Sequence, residues 1–331
     1  MDEFSIIRKY IAPLASKESG AFSLMDDAAI IPTPENGYKQ VVTKDAIIEG
    51  THFLHNSDPR DIAHKVLGIN LSDIASMGAK AKYYFMSAIL NSSCDEEWIR
   101  NFTNELNILQ QNYNISLMGG DTVFHDGNIS LSVTMIGEVK PNNILLRSGA
   151  KNGDNIYVTG TIGDSALGLK ILESDKKENN IKIDNESFIS RFLISRYLKP
   201  EPRNNMALLL NEFASSATDI SDGLIADMNN ICKASNVGAE ILSDDVPISE
   251  EARIFLETND GLRNLVYSGG DDYELLFTVS EEYEDAMLNK IGSGNLRITK
   301  IGQITRGSKC LLIDNSGKEI ELSHTGYIHN S

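Results

Sequence analysis

Residues 58 to 78 constrain this chain more than any other stretch. Asp58-Pro59-Arg60-Asp61 reads as a helix start, with Asp as N-cap, Pro at the first helical position and an acid in the first turn. Ile62, Val66, Leu67, Ile69, Leu71, Ile74 and Met77 carry the helix onward, and Gly78 stops it. The helix is apolar on most sides, yet Asn70, Ser72, Asp73 and Ser76 interrupt it. Such side chains compete for backbone hydrogen bonds and favour caps over helix interiors. Asn70 and Asp73 share a face, so at least one of them is expected to be buried. A buried carboxylate must be paired or ligate a cation; the alternative is an Asp bonded to a neighbouring loop. The second half holds an echo, Asp219-Ile220-Ser221-Asp222-Gly223-Leu224.

At 331 residues the chain is long for one domain, and two are expected. A composition of 41% apolar and 23% charged residues is that of an ordinary globular protein. The net charge of −17 lacks the basic face that a non-specific nucleic-acid binder needs, so no nucleic-acid partner is expected. Cys94, Cys232 and Cys310 are far apart and form no C-x-x-C pair, which supports neither a zinc knuckle nor a disulfide framework. The opening Met1-Asp2-Glu3-Phe4 is unlike a signal peptide, and no run approaches the ~20 apolar residues of a membrane span. The expectation is a reduced, cytoplasmic, soluble protein with no membrane partner.

Taken in order, residues 3 to 15 read as an amphipathic helix, followed by a turn-rich segment with Asp26-Asp27-Ala28-Ala29. A β-type run spans 40 to 53 and holds Thr43, Asp45, Glu49 and His52; strand Thr and a lone His are common for structural reasons too. Beyond the 58–78 helix come a strand at 83 to 91 and a helix at 95 to 112. Ile115-Ser116-Leu117-Met118 then runs into Gly119-Gly120-Asp121-Thr122. A strand ending in Gly-Gly-Asp suits close approach of a phosphate to bare backbone. A strand at 131 to 139 leads to a boundary at Pro141-Asn142-Asn143. A second α/β unit opens at Ile156, and Gly160 to Gly168 forms a strand-to-helix loop. That loop has neither the G-K-[ST] of a Walker A sequence nor G-x-G-x-x-G spacing. A charged, Asn-rich loop at 173 to 187 precedes helices at 188 to 198 and 204 to 215. A strand end at 218 to 223 turns into a helix reaching Ala234, where Ser221 or Asp222 could serve simply as N-cap. Gly269-Gly270-Asp271-Asp272-Tyr273-Glu274 precedes a strand at 275 to 279, with further strands near 296 to 303 and 310 to 314. His324, Tyr327 and His329 mark the tail.

Each acidic cluster can be explained singly as a turn or a cap. Together, Asp27, Asp45, Asp73, Asp121, Asp219 and Asp222 ask for cations. Oxygen donors without Cys, and with few His, suit Mg²⁺ or Ca²⁺ rather than zinc. Carboxylates meeting a nucleotide directly would repel it. Acids, Gly-Gly backbone and Arg147 therefore fit a metal-bridged triphosphate site and phosphoryl or nucleotide chemistry.

The order of these motifs resembles the thiamine-monophosphate kinase family. The resemblance rests on Asp26-Asp27-Ala28-Ala29, Thr43-Lys44-Asp45 with Glu49-Gly50-Thr51-His52-Phe53, Asn70-Leu71-Ser72-Asp73 through Ala79, and Gly119-Gly120-Asp121-Thr122. It continues through Arg147-Ser148-Gly149-Ala150, Gly153 to Gly160, Asp219 to Leu224 and Gly269 to Leu275, and so covers nearly the whole chain. It implies the ATP-binding superfamily of aminoimidazole ribonucleotide synthetase. The implied fold is α/β (α+β), with an N-terminal ATP- and metal-binding α/β domain at 1–140 and a C-terminal α/β domain at 147–331. The resemblance further implies an N-terminal mixed sheet that pairs across a homodimer, and an active site in the cleft between the domains. The implied reaction is ATP plus thiamine monophosphate, assisted by several Mg²⁺ ions. Carried over, Asp27, Thr43, Asp45, Asp73, Asp121, Asp219 and Asp222 are metal ligands, Gly120, Asp121, Arg147 and Ser221 contact ATP, and His52, Asp271 and Tyr327 line the substrate site. No catalytic base is implied. The chain departs from the family pattern at Met25, at Lys44 and across 123 to 127.

Two rivals within the superfamily lack their reactive residue. A hydrogenase-maturation relative needs a C-terminal Cys, and the tail ends Ile328-His329-Asn330-Ser331; a selenophosphate synthetase needs a reactive Cys near the N-terminus, and the first here is Cys94. A non-catalytic acidic protein that binds divalent ions is the rival from a different class.

Overall fold

The computed structural model describes residues 3–26, 28–174, 187–292 and 297–327. Asp27, most of the expected 173–187 loop and His329 lie outside the described residues. The chain divides into two compact units. One comprises the chain up to Ile74 together with Ala79–Asn142; the other comprises Ala75–Gly78 and the chain from Asn143 onward.

The first unit is a mixed sheet under two long helices. Its four strands, β1 (Lys39–Ile48), β2 (Lys80–Leu90), β3 (Ser116–Phe124) and β4 (Ser130–Val139), lie in the order β1-β4-β2-β3. The β1–β4 and β4–β2 pairs are antiparallel and β2–β3 is parallel. Helix α2 (Pro59–Ser76) starts as expected, with the Asp58 carboxylate accepting the Arg60 N–H at 2.9 Å. It ends at Gly78, whose φ of +68° permits bonds from Gly78 N to Ala75 O and from Ala79 N to Ile74 O. The helix lies close on the sheet at Gly137, where a Cβ would come 2.8 Å from Ile74 Cγ2.

Helix α3 (Glu96–Tyr113) is capped by Asp95, which accepts the Trp98 N–H at 2.8 Å. It buries Gln110, whose side chain accepts from Leu117 N and Tyr84 Oη and donates to Leu14 O. A single buried amide thus ties the helix, two strands and the N-terminal segment.

The expected N-terminal helix is not one regular helix. A short α1 (Glu3–Ile6) widens into a π-turn at Ile7–Ile11 and tightens to 3₁₀ at Ala12–Ala15. Pro13 lacks the N–H that a continuing α-helix would use.

Alternation assigns the faces of this sheet. Val41, Thr43, Asp45 and Ile47 of β1 point to the helical side, while Val42, Lys44, Ala46 and Ile48 are exposed on the other. The N-terminal segment shields the β2–β3 end of that second face, where Ala15, Ala21 and Met118 pack beside Tyr83 and Phe85. Toward β1, Val42 stays 61% exposed.

The second unit is a six-stranded sheet in the order β10-β7-β9-β5-β8-β6. Its strands are β5 (Asn155–Thr159), β6 (Ala214–Asp219), β7 (Gly238–Leu242), β8 (Leu275–Val279), β9 (Ile298–Thr305) and β10 (Cys310–Ile313). Central β5 sends Ile156 and Val158 into one core and Tyr157 into the other. The first core is closed by α4 (Asp164–Ser174), α5 (Phe188–Leu198), α7 (Leu224–Ser235) and α8 (Glu250–Thr258), with α9 (Leu265–Ser268) at its edge. The second is closed by α6 (Asn204–Leu210) and α10 (Glu281–Ile291). The expected helix at 204 to 215 stops at Leu210, because Ala214–Asp219 is taken by pairing with β8.

Candidate active site

In the first unit the structure brings together Thr43, Asp45 and Asp73. Thr43 and Asp45 are two apart on β1 and so share the face that α2 covers, where the Thr43 hydroxyl donates to the Asp73 carboxylate. Burial, and after it the charge of Asp73 and a hydrogen bond to it, push Asp45 up to about 7. Two carboxylates share a hydrogen bond, and no Lys or Arg figures among the groups that shift Asp45. The donors are all oxygens: two carboxylates and a hydroxyl. Two carboxylates completed by water and phosphate oxygens are the usual way a protein holds Mg²⁺, so these residues fit that ion. Among the described residues no group of three or more His, Cys, Asp or Glu side chains forms a metal cage. Asn70 is fully buried, and its amide donates to Val66 O at 2.9 Å, one turn back along α2.

Asp121 is not part of this group. Asp45 pairs in register with Val133, Val133 with Met86 and Met86 with Gly120, so Asp121 falls in the neighbouring row, facing the exposed side of the sheet. It also lies three strand spacings away, roughly 14 Å. The expectation that a strand ends at Gly-Gly-Asp is corrected as well, since β3 runs through to Phe124. Gly120 sits inside the ladder, where a Cβ would lie 1.9 Å from Met86 O. Close approach of the β2 backbone is what requires glycine there. His52 closes the turn after β1, its Nδ1 accepting the Ile48 N–H at 3.1 Å. Lys44 faces away from Asp45 and donates to Ser132 Oγ at 2.9 Å.

In the second unit three segments converge. Asp219 ends β6 as a buried side chain, and the chain turns through Ser221-Asp222-Gly223 into α7. Against this turn lie the Gly269–Glu274 loop, through Asp271 N to Ser221 O at 2.9 Å, and the tail, through Tyr327 N to Asp222 O at 2.9 Å. Glycine is required at 270, where a Cβ would come 2.2 Å from Ser221 O. Ser221, Asp222, Asp271 and Tyr327 are thereby neighbours, with the Tyr327 ring half exposed. Arg147 reaches the adjoining strand, its Nε donating to Thr218 Oγ1 at 3.2 Å.

Two residues here escape the sequence analysis. Asp227 is buried in the first turn of α7, and one of its oxygens accepts the N–H groups of Ser221, Asp222 and Gly223 at 3.0, 3.0 and 3.3 Å. That carboxylate shapes the turn presenting Asp222. Burial, then the Asp222 charge, push it up to about 6 against those three N–H bonds. Its sequence signal is an acid one helical turn beyond Gly223. Tyr197 of α5 is buried, and Asp271 and Tyr327 are among the groups that raise its hydroxyl, behind burial itself. Nothing in its local sequence marks it.

Residues 25–139 match the family described as AIR synthase related protein, N-terminal domain, and residues 151–314 match the corresponding C-terminal domain. The thiamine-monophosphate kinase of Escherichia coli K12 is 38% identical over 99% of this chain and 98% of its own. The chain belongs to the thiamine-monophosphate kinase family. A crystal structure of thiamine-monophosphate kinase from Stenotrophomonas maltophilia K279a superposes with a TM-score of 0.79 at 37% identity, covering 87% of this chain and 89% of that one. A structure of AaThiL complexed with AMPPCP and TMP gives 0.77 at 29% identity, covering 94% and 98%. Membership thus spans both units, and the mixed α/β architecture with two sheets is that of the family.

Proposed function

We propose that this chain transfers the γ-phosphoryl group of ATP to thiamine monophosphate, giving ADP and thiamine diphosphate. The observation that carries this reading is the near full-length likeness to the Escherichia coli thiamine-monophosphate kinase. The complex of AaThiL with AMPPCP and TMP supports the pairing of a nucleotide with a second phosphorylated ligand.

The acceptor is a phosphate monoester whose second pKa is about 6, so near neutrality it is already a dianionic nucleophile. No general base is needed, and none is assigned. A phosphate oxygen attacks the γ-phosphorus in line, the bond to the β–γ bridging oxygen breaks, and ADP leaves. The obstacle is repulsion between anions, about 4 kcal/mol for unit charges ~4 Å apart at an effective dielectric near ~20. Bound Mg²⁺ ions supply the opposing charge.

In this reading Thr43, Asp45 and Asp73 hold one Mg²⁺, and Asp27, Asp121, Asp219 and Asp222 are ligands of other Mg²⁺ ions. Gly120, Asp121, Arg147 and Ser221 contact ATP. His52, Asp271 and Tyr327 line the thiamine phosphate site, with Tyr327 as an aromatic wall. A second copy of the chain covers the exposed face of the four-stranded sheet; the support is the apolar Val42, Ile48 and Val123, left 61%, 40% and 44% exposed. The cytoplasm is the expected compartment. In support, Cys94, Cys232 and Cys310 are free thiols, and no described helix is long and apolar enough to cross a membrane.

The test is ADP release from ATP and Mg²⁺ with thiamine monophosphate or free thiamine as acceptor. Release is expected with the monophosphate alone. The Asp73→Asn variant is expected to lose about 100-fold or more in kcat, the scale for removing a preorganised electrostatic partner. Full rate in that variant, or equal release with free thiamine, contradicts the proposal.

A further inference from the structure

The last four residues of the Gly269–Glu274 loop comprise two buried, anchored acids and two residues of strained backbone. Asp272 and Glu274 turn inward and are 2% and 0% exposed. Asp272 accepts the Gly163 N–H at 2.8 Å and the Ser165 N–H at 3.3 Å, which fastens the loop to the start of α4. Glu274 accepts from Thr159 Oγ1 of β5 at 2.6 Å, from Arg196 Nη2 of α5 at 2.8 Å and from Arg203 Nε at 2.6 Å, and the second Arg203 nitrogen binds it as well. A Cβ at Gly160 would come 2.1 Å from Glu274 Oε1, so that glycine leaves room for the carboxylate.

The two residues between and before these anchors carry backbone strain; Tyr273 is itself buried and Asp271 half-buried. Asp271 and Tyr273 hold φ values of +69° and +51°, the left-handed region that side-chain-bearing residues avoid. Their N–H groups are bonded to Ser221 O and Ile220 O, both at 2.9 Å, and the Tyr273 hydroxyl donates to Asp271 Oδ1 at 3.0 Å. Non-glycine residues stay in this region only where their surroundings over-determine them. A buried ion network of the Glu274 kind is weak as a source of net stability, because desolvation offsets the attraction. Its firm consequence is geometric.

We infer that Asp272 and Glu274 are positioning residues that hold the strained loop so that the Asp271 carboxylate faces substrate beside Ser221 and Asp222. This rests on the reading of Asp271 as part of the thiamine phosphate site. It adds two acids that act through Asp271 and touch no ligand themselves.

A double-mutant cycle on the full-length protein, followed by steady-state kinetics, tests it. Asp271→Ala raises KM for thiamine monophosphate. Asp272→Asn, which keeps the volume but replaces one acceptor oxygen by a donor, raises the same KM by roughly tenfold to a hundredfold and leaves KM for ATP within about twofold. In the Asp271→Ala background, Asp272→Asn adds no further change, because the group it positions is gone. Arg203→Lys, which keeps the charge but loses the two-point grip on Glu274, repeats the pattern more mildly. That milder cycle decides the matter where thermal melting shows Asp272→Asn to be misfolded. Independent, multiplicative effects in the double variants, or an equal rise in KM for ATP, overturn the positioning role while leaving Asp271 in the site. A silent Asp271→Ala overturns the underlying site assignment, and the positioning role falls with it.

Discussion

Asp272 shows what burial does to a carboxylate that is kept for geometry. Burial pushes it well above its ordinary 3.8 and Asp164 adds to the rise, while the Gly163 N–H, Arg196 and the Ser165 N–H oppose it. The native state therefore binds this proton more tightly than the unfolded chain does. Stability contributed here is present below the unfolded value and declines as pH rises from there through the folded value. The melting temperature of the wild type is thus expected to fall relative to that of Asp272→Asn as pH rises above the ordinary carboxylate range. A pH-independent difference between the two proteins would count against this assignment. At this scale the sequence displays the acids but not their division of labour. Asp271 and Asp272 are adjacent and chemically identical; one is half-buried on left-handed backbone and the other is a buried anchor, a difference set by contacts with residues distant in sequence. Asp227 passes unnoticed for a similar reason. Its value lies in three N–H groups that gather only when the turn before α7 closes.

Among the elements, β3 carries the clearest revision. Gly-Gly-Asp reads as a phosphate loop because bare backbone invites an anion, but Gly120 lies within a parallel ladder and leaves no space for a side chain. Gly120→Ala is expected to lower stability without any nucleotide present, by about 1–3 kcal/mol as overpacking usually does. Denaturant titration of the ligand-free protein measures this. An unchanged midpoint, with only ATP affinity reduced, would show that this glycine serves the nucleotide and not the ladder. Elements with strong periodicity and clear caps, such as α2 and α3, were legible to within a few residues. Others gave no usable signal. Helix α10 buries only Met287, so its apolar stripe is too narrow to register. The end of α6 falls short of the expected 215 because pairing of β6 with β8 claims the chain from Ala214 onward.

For the whole molecule, the exposed face of the four-stranded sheet sets the expectation for assembly. An antiparallel-rich sheet with one face in water alternates polar and apolar residues, yet Val42, Ala46 and Ile48 break that rule on β1. Val42→Asp is expected to leave a folded monomer, detected by sedimentation velocity as halving of the molecular mass. A variant that sediments like the wild type would remove the support for pairing through this face.

By itself the sequence determined that the chain has two α/β parts, where most of their elements lie and, through the order of eight weak motifs, the family. Those properties depend on periodicity, capping and motif order, all local along the chain. Only the tertiary structure decided that Asp73 meets Thr43 and Asp45, that Asp121 lies in another row of the sheet, and which acids of Asp271-Asp272-Tyr273-Glu274 are buried. These depend on strand register and on contacts between residues far apart in sequence; Glu274 and Thr159, for example, are 115 positions apart. On helix α2, Asp73 accepts the Thr43 hydroxyl of β1. Asn70, its equal in the sequence, is fully buried and bonds its own helix.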